Sequence, residues 1–180
     1  GSRRRLAWVG ALVVCWYGQS VLLSLFNKHL LGRGRGHFPA PLLLTVMPTP
    51  HVGRMAAEMV PWLTDDHVLV SCSKGIENES LETVNEIFER ALPRRLHSSL
   101  AYLSGPSFAA EVAVGSPTAV TIASVDRKLA RWLQKELSTD RLRCYATSDV
   151  IGVEMGGALK NVMAIAVGAA DGMGFGHNAR

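Results

Sequence analysis

Acidic residues are missing from the first 57 positions of this 180-residue chain; the first is Glu58. Residues 1–45 hold six basic side chains instead: Arg3, Arg4, Arg5, Lys28, Arg33 and Arg35. Removing these six from the 19 Lys+Arg leaves 13 against 15 Asp+Glu, so residues 46–180 sum to −2. The pI near 9.2 therefore belongs to the front segment. A basic pI raises nucleic acid as a partner. Here the basic residues flank an apolar run and the remainder has no basic face, which points away from nucleic acid and toward a membrane. Cysteine is scarce as well. Cys15, Cys72 and Cys144 are odd in number, far apart and without metal-ligand spacing. That excludes a disulfide framework and a zinc site, and fits packed, reduced thiols facing a cytosol. Internal repeats and low-complexity tracts are absent too. The length allows one ordinary domain with a real core, and hardly two.

What the front segment does have is a run from Leu6 to Phe26 with no formal charge, 21 residues long. At 1.5 Å per residue a helix of that length crosses a bilayer core of about 30 Å. The run predicts one apolar, transmembrane-like helix and membrane contact through it. Three basic residues on each side leave its orientation open. A buried core helix is the alternative.

After Thr45 the pattern becomes that of an α/β protein with strand, helix, strand, helix order and a mainly parallel sheet. A buried strand from Pro41 to Met47 ends at Pro48-Thr49-Pro50, and a helix runs from about Val52 to Leu63. Val68 to Cys72 reads as a strand ending at Ser73-Lys74-Gly75. Asn78 or Ser80 is positioned to cap a helix with Leu81, Val84, Ile87/Phe88 and Ala91 on one stripe, stopped by Pro93. Strands follow from Ser99 to Leu103, from Thr118 to Ala123 and from Leu142 to Ala146. Between the last two, Asp126 to Leu137 is an amphipathic helix with Leu129, Trp132/Leu133 and Leu137 inward. Ser148 is placed to cap the final long helix.

That helix carries Lys160. Gly156 and Gly157 lie one turn before it and Ala164 one turn after, so the lysine projects from a face with little bulk around it. In a partly dry pocket a lysine loses affinity for its proton and can exchange one near neutral pH. A carbinol whose hydrogen leaves as hydride needs such a base for its hydroxyl proton. On spacing alone, proton acceptor and plain surface lysine both stay open. Lys74 follows a strand, at the sheet edge where α/β proteins gather ligands, and its ammonium suits an oxyanion or phosphate; a plain turn is the other reading. Ser104-Gly105-Pro106-Ser107 is a small-residue turn entering a helix, able to offer N–H groups and a hydroxyl to an anion. Equally, Ser104 or Ser107 would serve as an ordinary helix cap.

The stretch Gly156-Gly157-Ala158-Leu159-Lys160-Asn161-Val162, followed by Ala169-Ala170-Asp171-Gly172-Met173-Gly174-Phe175-Gly176, closely resembles the catalytic helix of NAD(P)-dependent glycerol-3-phosphate dehydrogenases. Ser104-Gly105-Pro106-Ser107-Phe108-Ala109-Ala110-Glu111-Val112 is similar to another segment of that family. The resemblance implies Lys160 as proton acceptor; Lys74, Gly105, Ser107 and Asn161 as substrate contacts; and Ala109 against the nicotinamide of NAD or NADP. It implies a small phosphate substrate, interconversion of sn-glycerol 3-phosphate and dihydroxyacetone phosphate, a cytoplasmic setting and, as an open alternative, a homodimer. Asp171, His177 and Arg180 are expected to be structural. The fold it implies is a partial Rossmann-like parallel sheet over residues 46–147, leading at 148–180 into the start of an all-helical substrate domain. Residues of about 10–45 are different. Trp16-Tyr17, Ser20-Val21-Leu22-Leu23-Ser24-Leu25-Phe26-Asn27-Lys28 and Phe38-Pro39-Ala40-Pro41 resemble the first helix and loop of nucleotide-sugar and triose-phosphate translocators. Residues 1–45 are therefore set apart as a membrane helix and loop, and membrane anchoring through them is a second expectation for localisation.

No G-x-G-x-x-G follows a first strand, although that motif cradles the pyrophosphate in this fold. Gly32-Arg33-Gly34-Arg35-Gly36 is glycine-rich but lacks the strand before it. The resemblance spans roughly the central two-fifths of such an enzyme. The competing expectation is a catalytically incompetent, membrane-tethered remnant or fusion product that acts, if at all, as a binding module.

Overall fold

A computed structural model of the chain describes the backbone of residues 12–15, and residues 42–176, with the side chain of Ala109 undescribed. Its centre is a six-stranded sheet in sequential order. The strands are β1 (Leu12–Cys15), β2 (Leu42–Val46), β3 (Val68–Ser71), β4 (Leu100–Ser104), β5 (Thr118–Ala123) and β6 (Leu142–Thr147). β1 to β4 run parallel, β5 is antiparallel to β4, and β6 is parallel to β5. Alternation along each strand divides two cores. Leu43, Leu69, Leu100, Tyr102 and Ala123 face one side. Leu42, Leu44, Val68, Val70, Leu103 and Ile122 face the other. Successive strand side chains point to opposite faces, so strands buried on both sides read as unbroken apolar runs.

Five α-helices are described: α1 (Val52–Met59), α2 (Val84–Ala91), α3 (Ala109–Ala113), α4 (Arg127–Leu137) and α5 (Val150–Gly172). α1 and α2 cover the first face with Val52, Met55 and Ala56, and with Val84, Ile87 and Phe88. α4 covers the second with Leu133 and Leu137, while Trp132 is half-buried beside them. Burying one such side chain stabilises the fold by roughly 1.5–3 kcal/mol.

Caps form where the backbone leaves a turn. Thr83 and Glu86 make a reciprocal capping box on α2, displacing both expected caps. Asn78 and Ser80 are instead wound around the Glu77 carboxylate, which accepts from the N–H of Glu79 at 2.9 Å and of Ser80 at 2.7 Å. Leu81 leaves that turn at φ 59° and is exposed, not part of the helix stripe. Asp149, not Ser148, caps α5, accepting from Gly152 N–H at 2.8 Å.

The larger correction concerns the front. Leu12–Cys15 is a strand paired in register with Leu43, Leu44, Thr45 and Val46, so no continuous helix runs from Leu6 to Phe26. An apolar run does not by itself distinguish helix from strand, and adjacent β-branched Val13 and Val14 favour the pleated form. Leu42–Val46 is a strand, within the Pro41 to Met47 run expected to form one. The rest of the translocator-like stretch, with Lys28, Arg33, Arg35 and the glycine run, lies outside the described residues, as do His177 and Arg180.

The reversal between β4 and β5 positions the last helix. β6 ends level with Ala123, beside Tyr102, away from the carboxyl ends of β2 to β4. α5 therefore starts at the opposite edge and runs back over the first face, with Val150 and Val153 packed on that core. Ten residues separate Val150 from Lys160, about 15 Å of helix, enough to bring the lysine to the carboxyl edge.

Candidate functional site

Three strand ends meet at that edge. β2 continues into Pro48-Thr49, β3 into Ser73-Lys74-Gly75, and β4 into Ser104-Gly105-Pro106-Ser107. The Thr49 hydroxyl, buried, donates to the Lys74 carbonyl at 3.1 Å. Ser73 Oγ accepts from Met47 N–H at 3.2 Å, a second tie between β2 and β3. Gly75 has φ 126°, and a Cβ there would come within 3.0 Å of Thr49 Oγ1. The glycine after Lys74 is thus required by conformation and by contact.

Lys74 Nζ donates to the Gly105 carbonyl at 2.9 Å, leaving two N–H groups for another acceptor. Burial first, and then the nearby Lys160 charge, lowers its pKa from the ordinary lysine value, while Cys72 pulls the other way. Gly105 has φ 151°, and a Cβ on it would sit 3.0 Å from both the Ala119 carbonyl and Val120 Cα. The turn carrying it can hold no larger residue without moving β5. The half-buried Ser107 donates its N–H to the Gly105 carbonyl at 2.9 Å. Neither Ser104 nor Ser107 caps α3; Phe108 occupies the cap position without a side-chain bond. Ala109 is the first residue of that helix.

α5 reaches these loops through Gly157. A Cβ at 157 would lie 2.5 Å from Ser104 Oγ and 3.5 Å from Lys74 Cγ. The missing side chain is what lets the helix approach. Lys160 and Asn161 follow three and four positions later, on the same helix face. Lys160 is exposed, as is Asn161, so the partly dry pocket expected around the lysine is not built by the described residues. Beyond the sheet α5 has little cover: a Cβ at Gly156, Gly168 or Gly172 would meet nothing within 4 Å.

The structure therefore brings together Lys74, Gly105, Ser107 and the Lys160–Asn161 face of α5, with Ala109 at the next helix start. It also holds two residues the sequence reading passed over. Tyr102 is buried beneath the loops, and burial raises its phenol pKa well above the usual range, with Glu154 and Glu89 adding to the effect. Burial also raises the Glu154 pKa, aided by Glu86 and Glu89 and opposed by Thr83 and the Asn85 N–H. The signal was legible for Glu154. It is one of three charged residues in a 23-residue apolar helix, and it precedes Gly157 by one turn. Burial pushes the Cys72 thiol up to about 12 and raises that of Cys144, so both remain protonated and unreactive near neutrality.

Comparison with known proteins gives the same family from several directions. The model of the NAD-dependent glycerol-3-phosphate dehydrogenase N-terminus matches residues 38–130, and that of the C-terminus matches 149–180. The first match begins ahead of Val46 and so includes all of β2. A glycerol-3-phosphate dehydrogenase [NAD(P)+] of Koribacter versatilis is 50% identical over 139 residues, covering 77% of this chain and 41% of that protein. One from Leptospira biflexa is 57% identical over 120 residues, covering 64% of this chain and 36% of the relative. The crystal structure of glycerol-3-phosphate dehydrogenase from Coxiella burnetii superposes with a TM-score of 0.62 at 33% identity, over 76% of this chain and 41% of that one. The chain thus spans about two-fifths of the length of these relatives.

Proposed function

The chain belongs to the NAD-dependent glycerol-3-phosphate dehydrogenase family, and from that premise we propose that its carboxyl-edge cluster is the substrate-facing part of such a dehydrogenase site. The reaction is interconversion of sn-glycerol 3-phosphate and dihydroxyacetone phosphate with NAD(H) or NADP(H). The observation that carries this reading is the approach of α5 through Gly157 to Ser104 and Lys74, which brings the Lys160 face to the strand ends.

In the oxidative direction Lys160 takes the proton of the C2 hydroxyl, and in reduction it returns it. Lys74, with two N–H groups left over from Gly105, orients the substrate oxygen. The Gly105 and Ser107 turn and Asn161 line the pocket. Small residues fit a planar ring at this edge: the Gly105 turn stays low against β5, and Gly156 leaves open space. Ala109 and that turn are the residues for the nicotinamide end, where the bound cofactor supplies hydride transfer. The second part of the dinucleotide-binding domain starts ahead of residue 46, since all of β2 belongs to the one sheet, and runs to 147; residues 148–180 are the start of the helical substrate domain. The apolar outer face of α5 suits that domain and also a homodimer contact. By length and composition α5 would span a bilayer, but Glu154, Lys160 and Asp171 and its packing on the sheet favour a cytoplasmic enzyme.

The test is NADH oxidation by the purified chain with dihydroxyacetone phosphate, beside Lys160→Ala. Turnover that falls at least about 100-fold on substitution supports the assignment, as expected for removal of a general base. Turnover in both proteins removes Lys160 from the role. Absence of turnover in both favours the second reading, a binding module, for which the uncovered outer surface of α5 is the supporting observation.

A further inference from the structure

The candidate site continues inward. Ser73, Lys74 and Ser104 line a cavity of about 10 Å³ together with Tyr102, Val153 and Glu154. Tyr102 Oη and Glu154 Oε2 are buried there without a protein hydrogen-bond partner. A space of this size holds about one water. The phenol can donate to it and the carboxylate can accept from it. The other carboxylate oxygen, Oε1, accepts the Asn85 N–H at 2.9 Å, a contact across 69 positions of sequence. Asn85 belongs to the first turn of α2, whose positive end favours a carboxylate. Glu154 thus joins two helices at a point one turn before Gly157, where α5 makes its closest approach to the loops. Val150 and Val153 anchor the start of α5 on the core, but at Gly156 and Gly157 the helix has no side chain to fix its rotation; a directional bond to a neighbouring helix end fixes it.

We propose that Glu154 is the positioning residue of this site: tethered to Asn85 N–H and bridged to Tyr102 by one water in the cavity, it sets the rotation of α5 that turns Lys160 and Asn161 toward Lys74. The proposal rests on Lys74 and Lys160 sharing one site, as argued above. It does not require that this chain turn over substrate. The groups facing the carboxylate are Glu86 and Glu89 of α2, Tyr102 of β4 and the Thr83 hydroxyl. Those facing the Lys74 ammonium are Lys160 and Cys72.

The influence of the Lys160 charge on Lys74 gives the readout. With lysine side-chain nitrogens labelled in the full chain, NMR follows the titration of Lys74 itself. Lys160→Met removes the neighbouring charge and should raise the Lys74 pKa. Placed on a Glu154→Ala background, the same Lys160→Met should leave the Lys74 curve unmoved, because α5 has rolled away. On a Glu154→Gln background the shift should return, since the amide oxygen still accepts from Asn85. Equal shifts on all three backgrounds would overturn the proposal, as would no shift in the otherwise unaltered chain. Should Glu154→Ala fail to fold, Tyr102→Phe takes its place: a smaller Lys160-dependent shift supports the water bridge, and an undiminished one counts against it. Neither substrate nor cofactor enters the measurement, so a failed turnover assay and a failed tether give separate signatures.

Discussion

The sheet with its flanking helices and the long helix α5 use apolar residues in opposite ways. α2 and α4 are polar on average, yet bury a sharp stripe: Val84, Ile87 and Phe88 in one, Ala130, Leu133 and Leu137 in the other. α5 has the highest hydropathy, a mean of 1.5 over its most apolar window, and only 6% of that window is buried. Ile151, Val162, Met163 and Ile165 all stand in the open. Burial of an amphipathic helix is determined by the stripe, whereas a helix apolar all round is built for cover on more than one side. Within the described residues only the Val150–Gly157 end of α5 receives it, from the sheet. That same end brings the lysine face to the strand ends.

Truncation to alanine should therefore cost very unequal amounts in the two regions. Phe88 is 1% exposed with its ring 6.4 Å from that of Tyr102, and Phe88→Ala should destabilise by about 3–5 kcal/mol in denaturant unfolding. Ile165 is 72% exposed, and Ile165→Ala should stay within about 0.5 kcal/mol. Comparable losses would show that the outer face of α5 is covered in solution, for example by a second copy.

The glycines of α5 sharpen the division within one helix. Gly157→Ala drives a methyl to 2.5 Å from Ser104 Oγ, and overpacking of this kind should cost about 1–3 kcal/mol. Gly168→Ala meets nothing within 4 Å and should stabilise by about 0.5–1 kcal/mol through helix propensity alone. Thermal or urea unfolding of the two variants reads the difference in sign. A stabilising Gly157→Ala would mean that α5 does not press on the loops as described.

A smaller effect tests the cap that holds the receiving end of the tether. Thr83→Ala removes the side chain that accepts from Glu86 N–H, and should cost about 1 kcal/mol. Thr83→Ser keeps the hydroxyl and should recover most of it. Loss in both would place the effect on the methyl group.

Much of the fold was legible because strands buried on both faces, such as Leu42 to Val46 and Val68 to Ser71, read as apolar runs closed by turn residues. Leu129, Trp132/Leu133 and Leu137 announced α4 by their 3.6-residue stripe, and Asp126, expected as its first residue, is its cap. The site loops were legible at the same level, since Gly105 follows β4 directly and Lys74 lies in the turn just past β3. What was hidden is non-local. The turn around Glu77 is held by its carboxylate, so cap preference alone favoured Asn78 and Ser80 over Thr83. The run through Leu12–Cys15 met the length criterion for a membrane helix, and only the edge of β2, thirty positions on, makes it a strand. The antiparallel β4–β5 pairing carries no local mark, yet it decides where α5 starts. Glu154 carries a local mark, a carboxylate in an apolar helix, but its tie to Asn85 across 69 positions has none.

The smallest expected effect is one of sign, at the buried end of α5. Burial raises the Glu154 pKa above its ordinary 4.5, so the folded chain binds this proton more tightly than the unfolded chain. Stability from this group is therefore fully present below 4.5 and is lost as pH rises through the higher folded value, because the charged form is the one that burial disfavours. Glu154→Gln keeps an acceptor for Asn85 N–H and removes the charge. It should be more stable than the parent at neutral pH, and the gain should vanish toward pH 4. Unfolding midpoints of the parent and Glu154→Gln, measured across this range, give the comparison. A Glu154→Gln gain that grows on acidification would mean that the carboxylate is held charged by its helix-end contacts, and that the tether outweighs the cost of burying it.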